Sequence, residues 1–152
     1  MNVHNQQNFG ILVLRLALGA VLLTHSLYLK LVIYTLPGTA NFFSSIGLPG
    51  WLAYVVFALE AVTGAAIILG IYSRQAALVM VPVLLGATWA HFPNGWLFTN
   101  AHGGWEYPLF LAFVALALAC VNPGDYVVRA IFDRTPKEQE AQNQSRAMAN
   151  PS

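Results

Sequence analysis

The chain has 152 residues, 57% of them hydrophobic and only 9% charged, with a formal net charge of +1. Soluble domains are about a quarter charged, so this composition excludes an ordinary soluble globule. The near-neutral balance also excludes the basic footprint of a nucleic-acid-binding protein. Its single cysteine, Cys120, closes no intrachain disulfide, and no CxxC or zinc-type spacing occurs.

In chain order, the first apolar stretch is FGILVLRLALGAVLLTHSLYLKLV, residues 9–32. It exceeds the roughly 20 residues a spanning helix needs. It lacks a basic leader and a small-residue cleavage site, so it reads as a retained helix and not as a signal peptide. Residues 33–49 read as a loop punctuated by PG at 37–38. The second span, residues 50–70, is GWLAYVVFALEAVTGAAIILG. The third, residues 75–92, contains Pro82, which predicts a kink. The fourth, residues 106–121, has Pro108 in its first turn and NPG just beyond it. A helix of a soluble bundle carries a polar stripe, and none occurs between Leu109 and Val121. The expected fold is all-α, a bundle of four transmembrane helices forming one membrane domain over residues 1–126. Residues 127–152 are polar and poor in aromatics, which predicts a disordered tail. The segment YVVRAIFDR at its start suits the membrane surface.

Basic residues orient such a bundle. Arg74 lies between spans two and three, and Arg129, Arg134, Lys137 and Arg146 follow span four, whereas residues 33–49 and 93–105 contain no Lys or Arg. The bias predicts a multi-pass protein of the cytoplasmic (inner) membrane with both termini cytoplasmic. At 1.5 Å per residue, His25 then lies roughly 24 Å along the first helix and His91 about as far along the third. Lys30 is a turn beyond His25, and Glu106 opens the fourth helix. These groups converge on one layer near the outer boundary.

Two ionisable groups lie deeper. Arg15 is about 9 Å and Glu60 about 15 Å from the cytoplasmic ends of their helices, which predicts an Arg15–Glu60 ion pair fastening two helices. Intramembrane ionisable residues otherwise mark functional sites by default. The plain alternative for His25 and His91 is a hydrogen bond to a neighbouring helix carbonyl. Lys30 is expected to snorkel to the outer head groups, and His102 to be a solvated loop residue. Trp51, Trp89, Trp96 and Trp105, with Tyr28 and Tyr54, suit an interfacial aromatic belt. The uncharged loop PNGWLFTNAHGGW, residues 93–105, is expected to fold back over the bundle, as a lid above His25 and His91 or as an interface cap.

The segments LRLALGAVLLTHSLYLKL, FFSSIGLPGWLAYVVFALEAVTGAAIILG, YSRQAALVM and HFPNGW…GGWEYPLFLAFVALAL follow one another over most of residues 9–124. In this order they resemble the DoxX family of four-helix bacterial membrane proteins. One departure is Ser26, where the family's histidine is typically followed by glycine. The resemblance implies a bundle in the cytoplasmic membrane and redox work at the quinone pool, since members include a subunit associated with a terminal quinol oxidase and a thiosulfate:quinone oxidoreductase. It puts His25, Lys30, Glu60, His91, Asn94, Gly95, Glu106, Tyr107 and Pro108 at recognisable family positions. The expected catalytic groups are His25, His91, Glu106 and Glu60, with Lys30, Asn94, Tyr107 and Trp89 as substrate contacts. Histidine suits proton exchange with a quinone because its unperturbed pKa is about 6.5. The chain has no GxGxxG or CxxCH, so electrons would come from a partner subunit or a bound metal. Haem or a metal held by His25 and His91 is the second chemical reading. The non-catalytic readings are a membrane scaffold for a redox partner and a small-solute permease. Expected partners are the lipid bilayer, other membrane redox subunits and a second copy of the chain.

Overall fold

The computed structural model describes residues 3–121. The expectations for YVVRAIFDR and the polar tail lie outside the described residues. In chain order the elements are α1 (Val3–Leu23), running directly into a π-helix (Thr24–Ile33), α2 (Leu36–Ser45), α3 (Leu52–Leu69), α4 (Ser73–His91), a 3₁₀ turn (Phe92–Asn94) and α5 (Glu106–Cys120). No strand occurs among the described residues. The four long helices form a ring in which α1 packs on α3, α3 on α4, α4 on α5, and α5 returns to α1.

Among the described residues, three helical stretches are long and apolar enough to cross a membrane: Asn5–Ile33, Leu52–Leu69 and Ser73–Asn94. The fourth long helix, α5, is apolar but has 15 residues, about 22 Å at 1.5 Å per residue. Its packing explains why it shows no stripe. Ala112, Ala115 and Ala119 are buried, while Phe110, Phe113 and Leu116 are exposed. The inward face also carries Leu111 and Leu118, and its three alanines let the neighbouring helices approach closely, as in helices that pack within lipid. The α1–α3 crossing follows the same rule. A Cβ added at Gly19 would lie 2.8 Å from the Gly64 carbonyl oxygen, so the two backbones touch there.

Two local structures depart from the expectation. The loop at 33–49 contains α2, and the PG pair read as punctuation starts this helix. The Oγ1 of Thr35 accepts from the Gly38 N–H at 3.2 Å, a side-chain N-cap, with Pro37 in the first turn. Thr35 has φ +59°, an outlier for a β-branched residue. Its carbonyl accepts from both the N–H and the Oγ1 of Thr39, each at 2.9 Å, which holds the turn. The helix ends in a Schellman turn, Leu48 N–H donating to the Phe43 carbonyl at 2.9 Å.

The second departure is the π-helix itself. The buried residues Arg15, Leu18 and Leu22 of α1 and Ser26 of the π-helix form one stripe, and Lys30 continues it at a spacing of four. On an α-helix each four-residue step drifts about 40° around the axis. The wider i→i+5 ladder, which closes with Tyr34 N–H donating to the Leu29 carbonyl at 2.8 Å, removes that drift. His25 and Lys30 are five residues apart, so the ladder sets them on one face. An α-helix would have put them about 140° apart.

Candidate functional site

The ionisable groups gather where α4 ends and α5 begins, between the π-helix and α3. Lys30 Nζ donates to both Glu60 oxygens, at 2.8 and 2.6 Å, and the two side chains are only 15% and 9% exposed. This corrects two expectations. Lys30 turns into the bundle instead of reaching the head groups, because the π-helix aims it at α3. Glu60 pairs with Lys30 and not with Arg15.

Arg15 has other work. Its Nε donates to the Ile67 carbonyl at 2.9 Å and its Nη2 to the Ile68 carbonyl at 2.9 Å. These are carbonyls of the last turn of α3, beyond the reach of the regular i→i+4 ladder; that of Ile67 also accepts from Gly70 N–H at 3.2 Å. The turn closes at Gly70, whose φ of +73° suits glycine, with Ile71 N–H donating back to the Ala66 carbonyl at 2.9 Å. A buried cation at a helix C-terminus also opposes the helix dipole favourably. Arg15 is a capping residue of α3, as far along the bundle as the Schellman turn requires.

His25 lies one face-step from Lys30, and its ring stacks on that of Tyr107 with centroids 6.2 Å apart. It is within electrostatic reach of Lys30 and His91. Ser26, the departure from the family pattern, is completely buried, and its Oγ donates to the Leu23 carbonyl at 3.2 Å. A hydroxyl thus fits the buried position without an unsatisfied polar atom.

His91 closes α4, with Nδ1 2.8 Å from the Ala87 carbonyl oxygen. A carbonyl only accepts, so Nδ1 carries a proton, and in the neutral ring Nε2 is the acceptor. This is the plain carbonyl bond weighed from the sequence, and it leaves one nitrogen open. Gly103 comes down beside the ring; a Cβ there would lie 3.6 Å from His91 Cδ2.

The 93–105 loop is built to hold that position. Asn94 Nδ2 donates to the His102 and Gly103 carbonyls at 3.2 and 2.9 Å, so both its amide hydrogens serve the loop. Asn100 Nδ2 donates to the Asn94 carbonyl at 2.9 Å. Trp105 N–H and Glu106 N–H donate to the Gly95 and Trp96 carbonyls at 3.1 and 3.2 Å. The Trp96 and Trp105 rings meet edge to face at 4.4 Å, and Phe92 stacks on Trp105 at 5.4 Å. Glu106 Oε1 accepts from Phe98 N–H at 2.8 Å. The loop is therefore a self-bonded hairpin joined to the first residue of α5. His102 is exposed at φ +68°, and Trp89 is exposed on the outer face of α4.

Thus the structure brings His25, Tyr107, His91, Lys30 and Glu60 to one end of the bundle, ties Glu106 and Asn94 into the hairpin above it, and sets Trp89 outside. Among the described residues no three His, Cys, Asp or Glu side chains gather where a metal ion could sit. An aromatic groove of about 430 Å³ beside α5, lined by Phe98, Phe110 and Phe113 with Glu106 and Tyr107, had no counterpart in the sequence reading. Phe110 and Phe113 stand three apart on one helix face, a spacing that could have shown their shared side but not the hairpin wall opposite.

Fold and site together define an all-helical membrane protein with a lipid-exposed aromatic face and an ion pair buried between its helices. The DoxX family profile matches residues 10–93, more than half of the chain, and the protein belongs to that family. It is 32% identical over 109 residues, covering 72% of this chain and 78% of the relative, to the Bacillus subtilis (strain 168) protein named "Putative oxidoreductase CatD". No solved structure matches the chain.

Proposed function

We propose that this protein is a quinone-linked oxidoreductase subunit or accessory protein of the bacterial inner membrane. In this reading α5 is the fourth span, both termini are cytoplasmic, and the hairpin lies on the outer side. The observation that carries it is the His25–Tyr107 stack, with His91 and the Lys30–Glu60 pair within the same end of the bundle. Titratable groups inside a membrane domain are costly unless paired or in use. Lys30 and Glu60 satisfy each other, whereas His25 and His91 Nε2 keep hydrogen-bonding capacity for a guest.

The residues fit a quinone on two counts. Imidazole nitrogens and a phenol can exchange protons and hydrogen bonds with its oxygens, and the nearby aromatic walls suit a flat ring. A bound quinone would supply the electron chemistry that these side chains lack. His25 and Tyr107 would orient the ring, and His91 would hold or move a proton at Nε2. Electrons would arrive from another membrane redox subunit, bound directly or within a homo-oligomer. The word oxidoreductase in the name of the Bacillus relative supports this class of function.

The test is whether quinone co-purifies with the wild type in mild detergent and not with the His25→Gln/His91→Gln variant. A scaffold would keep its partner in that variant. Equal quinone content in both proteins would remove the site from the proposal.

A further inference from the structure

We infer that residues 96–98 of the hairpin dip into the outer leaflet of the bilayer and continue α5 through it, while the hairpin tip, residues 99–102, stays in water. This takes α5 as a fourth span, as proposed above, and adds a lipid-binding surface outside the helices.

The first argument is length. α5 has 15 residues, about 22 Å, against roughly 30 Å for the hydrocarbon core. The shortfall of about 8 Å matches the depth, about 5–10 Å, to which interfacial segments sink at the boundary of head groups and acyl chains. The hairpin is bonded to the first residue of α5, which sets its flank level with the start of that helix. Glu106 N–H donates to the Trp96 carbonyl at 3.2 Å, and Glu106 Oε1 accepts from Phe98 N–H at 2.8 Å.

The second argument is the side chains. Residues 93–105 contain no Asp, Glu, Lys or Arg. Trp96, Leu97 and Phe98 are all exposed, Phe98 at 63%. Consecutive large apolar side chains open to the surroundings mark a contact with lipid or protein. Here they continue the lipid-facing surface of the helices. Leu85, Trp89 and Phe92 are exposed at helical spacing toward the end of α4, and Phe113, Phe110 and Tyr107 toward the start of α5. The tip, Thr99 to His102, is exposed and mostly polar. Flank and tip are thus sorted as the interface sorts them.

The third argument is the backbone. Irregular chain enters lipid only where its polar groups are satisfied. The Trp96 and Leu97 carbonyls accept from Glu106 and Asn100 N–H, and Phe98 N–H donates to Glu106. The carboxylate at this level is therefore turned onto the hairpin's own backbone. Because Gly103 of the same hairpin lies beside His91, uncovering that histidine means drawing three apolar side chains out of the leaflet.

The experiment uses the full chain in phosphatidylcholine liposomes. Trp96 is left as the single tryptophan by Trp51→Phe, Trp89→Phe and Trp105→Phe. In a second protein Trp96→Phe and Ala101→Trp move the probe to the tip. Lipid brominated near the carboxyl ends of its acyl chains should quench Trp96 strongly and the tip probe weakly. Aqueous iodide should quench Trp96 about fivefold less than the tip, the contrast between an interfacial ring and a solvated one. A nitroxide on Leu97→Cys in a Cys120→Ser background keeps all four tryptophans and gives a second reading. It should collide more with oxygen than with a water-soluble nickel chelate.

Equal iodide quenching at both positions would put the flank in water and overturn the inference. Protection of Trp96 from both quenchers would mean that protein covers it, and would overturn it too. If impermeant reagents reach Ala101→Cys and Cys120 from the same side, α5 does not cross and the four-span reading fails. If they reach them from opposite sides while Trp96 is quenched by iodide, the span stands and the hairpin inference alone falls.

Discussion

At the scale of single residues, the protein resolves each buried charge with a different device. Lys30 and Glu60 neutralise each other between two helices, and Arg15 donates to carbonyls of a helix end. Removing one member of a buried pair leaves the other charge uncompensated, at about 3–5 kcal/mol. Glu60→Gln should therefore lower thermal stability in detergent markedly. Lys30→Met/Glu60→Leu, which removes both charges, should cost clearly less than Glu60→Gln alone. A double-mutant cycle read by thermal unfolding checks this, and additive effects would refute the pairing. The sequence exposed all three residues, because a charge in an apolar run cannot be overlooked. It did not expose their partners. Depth along the axis treated Arg15 and Glu60 as one turn apart, but pairing depends on azimuth, which depth does not contain.

At the scale of elements, the π-helix is the feature that decides the site. It keeps Leu22, Ser26 and Lys30 on one line and puts His25 beside them. Inserting one alanine after Leu27 should turn Lys30 by about one residue step, roughly 100°, away from α3. In that background Glu60→Gln should add little further destabilisation, because the pair is already broken. A full additional loss in the insertion background would show that Lys30 reaches Glu60 from another register. The hairpin is the second deciding element. A Cβ at Gly104 would run into the Leu97 carbonyl, so Gly104→Ala should open the hairpin. Hydrogen exchange at the Phe98 and Trp105 amides is expected to rise by at least about tenfold, the consequence of losing roughly 1.4 kcal/mol of local closure. Protection equal to wild type would mean that the loop tolerates another path. Neither element has a composition that announces it: THSLYLKLVI reads as ordinary helix, and NGWLFTNAHGG reads only as turn-rich.

At the scale of the whole molecule, lipid explains the small residues at the helix contacts. With no hydrophobic drive between helices in a bilayer, close contact at Gly19, Gly64 and the α5 alanines supplies the attraction. The proposed topology makes a measurable claim through the one cysteine. Cys120 is exposed at the end of α5, on the side assigned to the cytoplasm. A membrane-impermeant maleimide should label it in inverted vesicles and fail to do so in intact spheroplasts. Labelling in spheroplasts would reverse the orientation, and with it the side from which the hairpin is reached.

The sequence by itself determined the class of protein. Its long apolar runs, its scarcity of charge and its ordered family segments led to an all-helical membrane bundle and to the residues able to carry chemistry there. It also set His25 and His91 at matching depth, because helical rise is fixed at 1.5 Å per residue. Only the tertiary structure decided which side chains touch. Rotation about the helix axis changes with a single residue of π character, and a hairpin's path is set by its own hydrogen bonds. Those two degrees of freedom sent Lys30 to Glu60, Arg15 to the end of α3, and Phe98 to the wall of the groove.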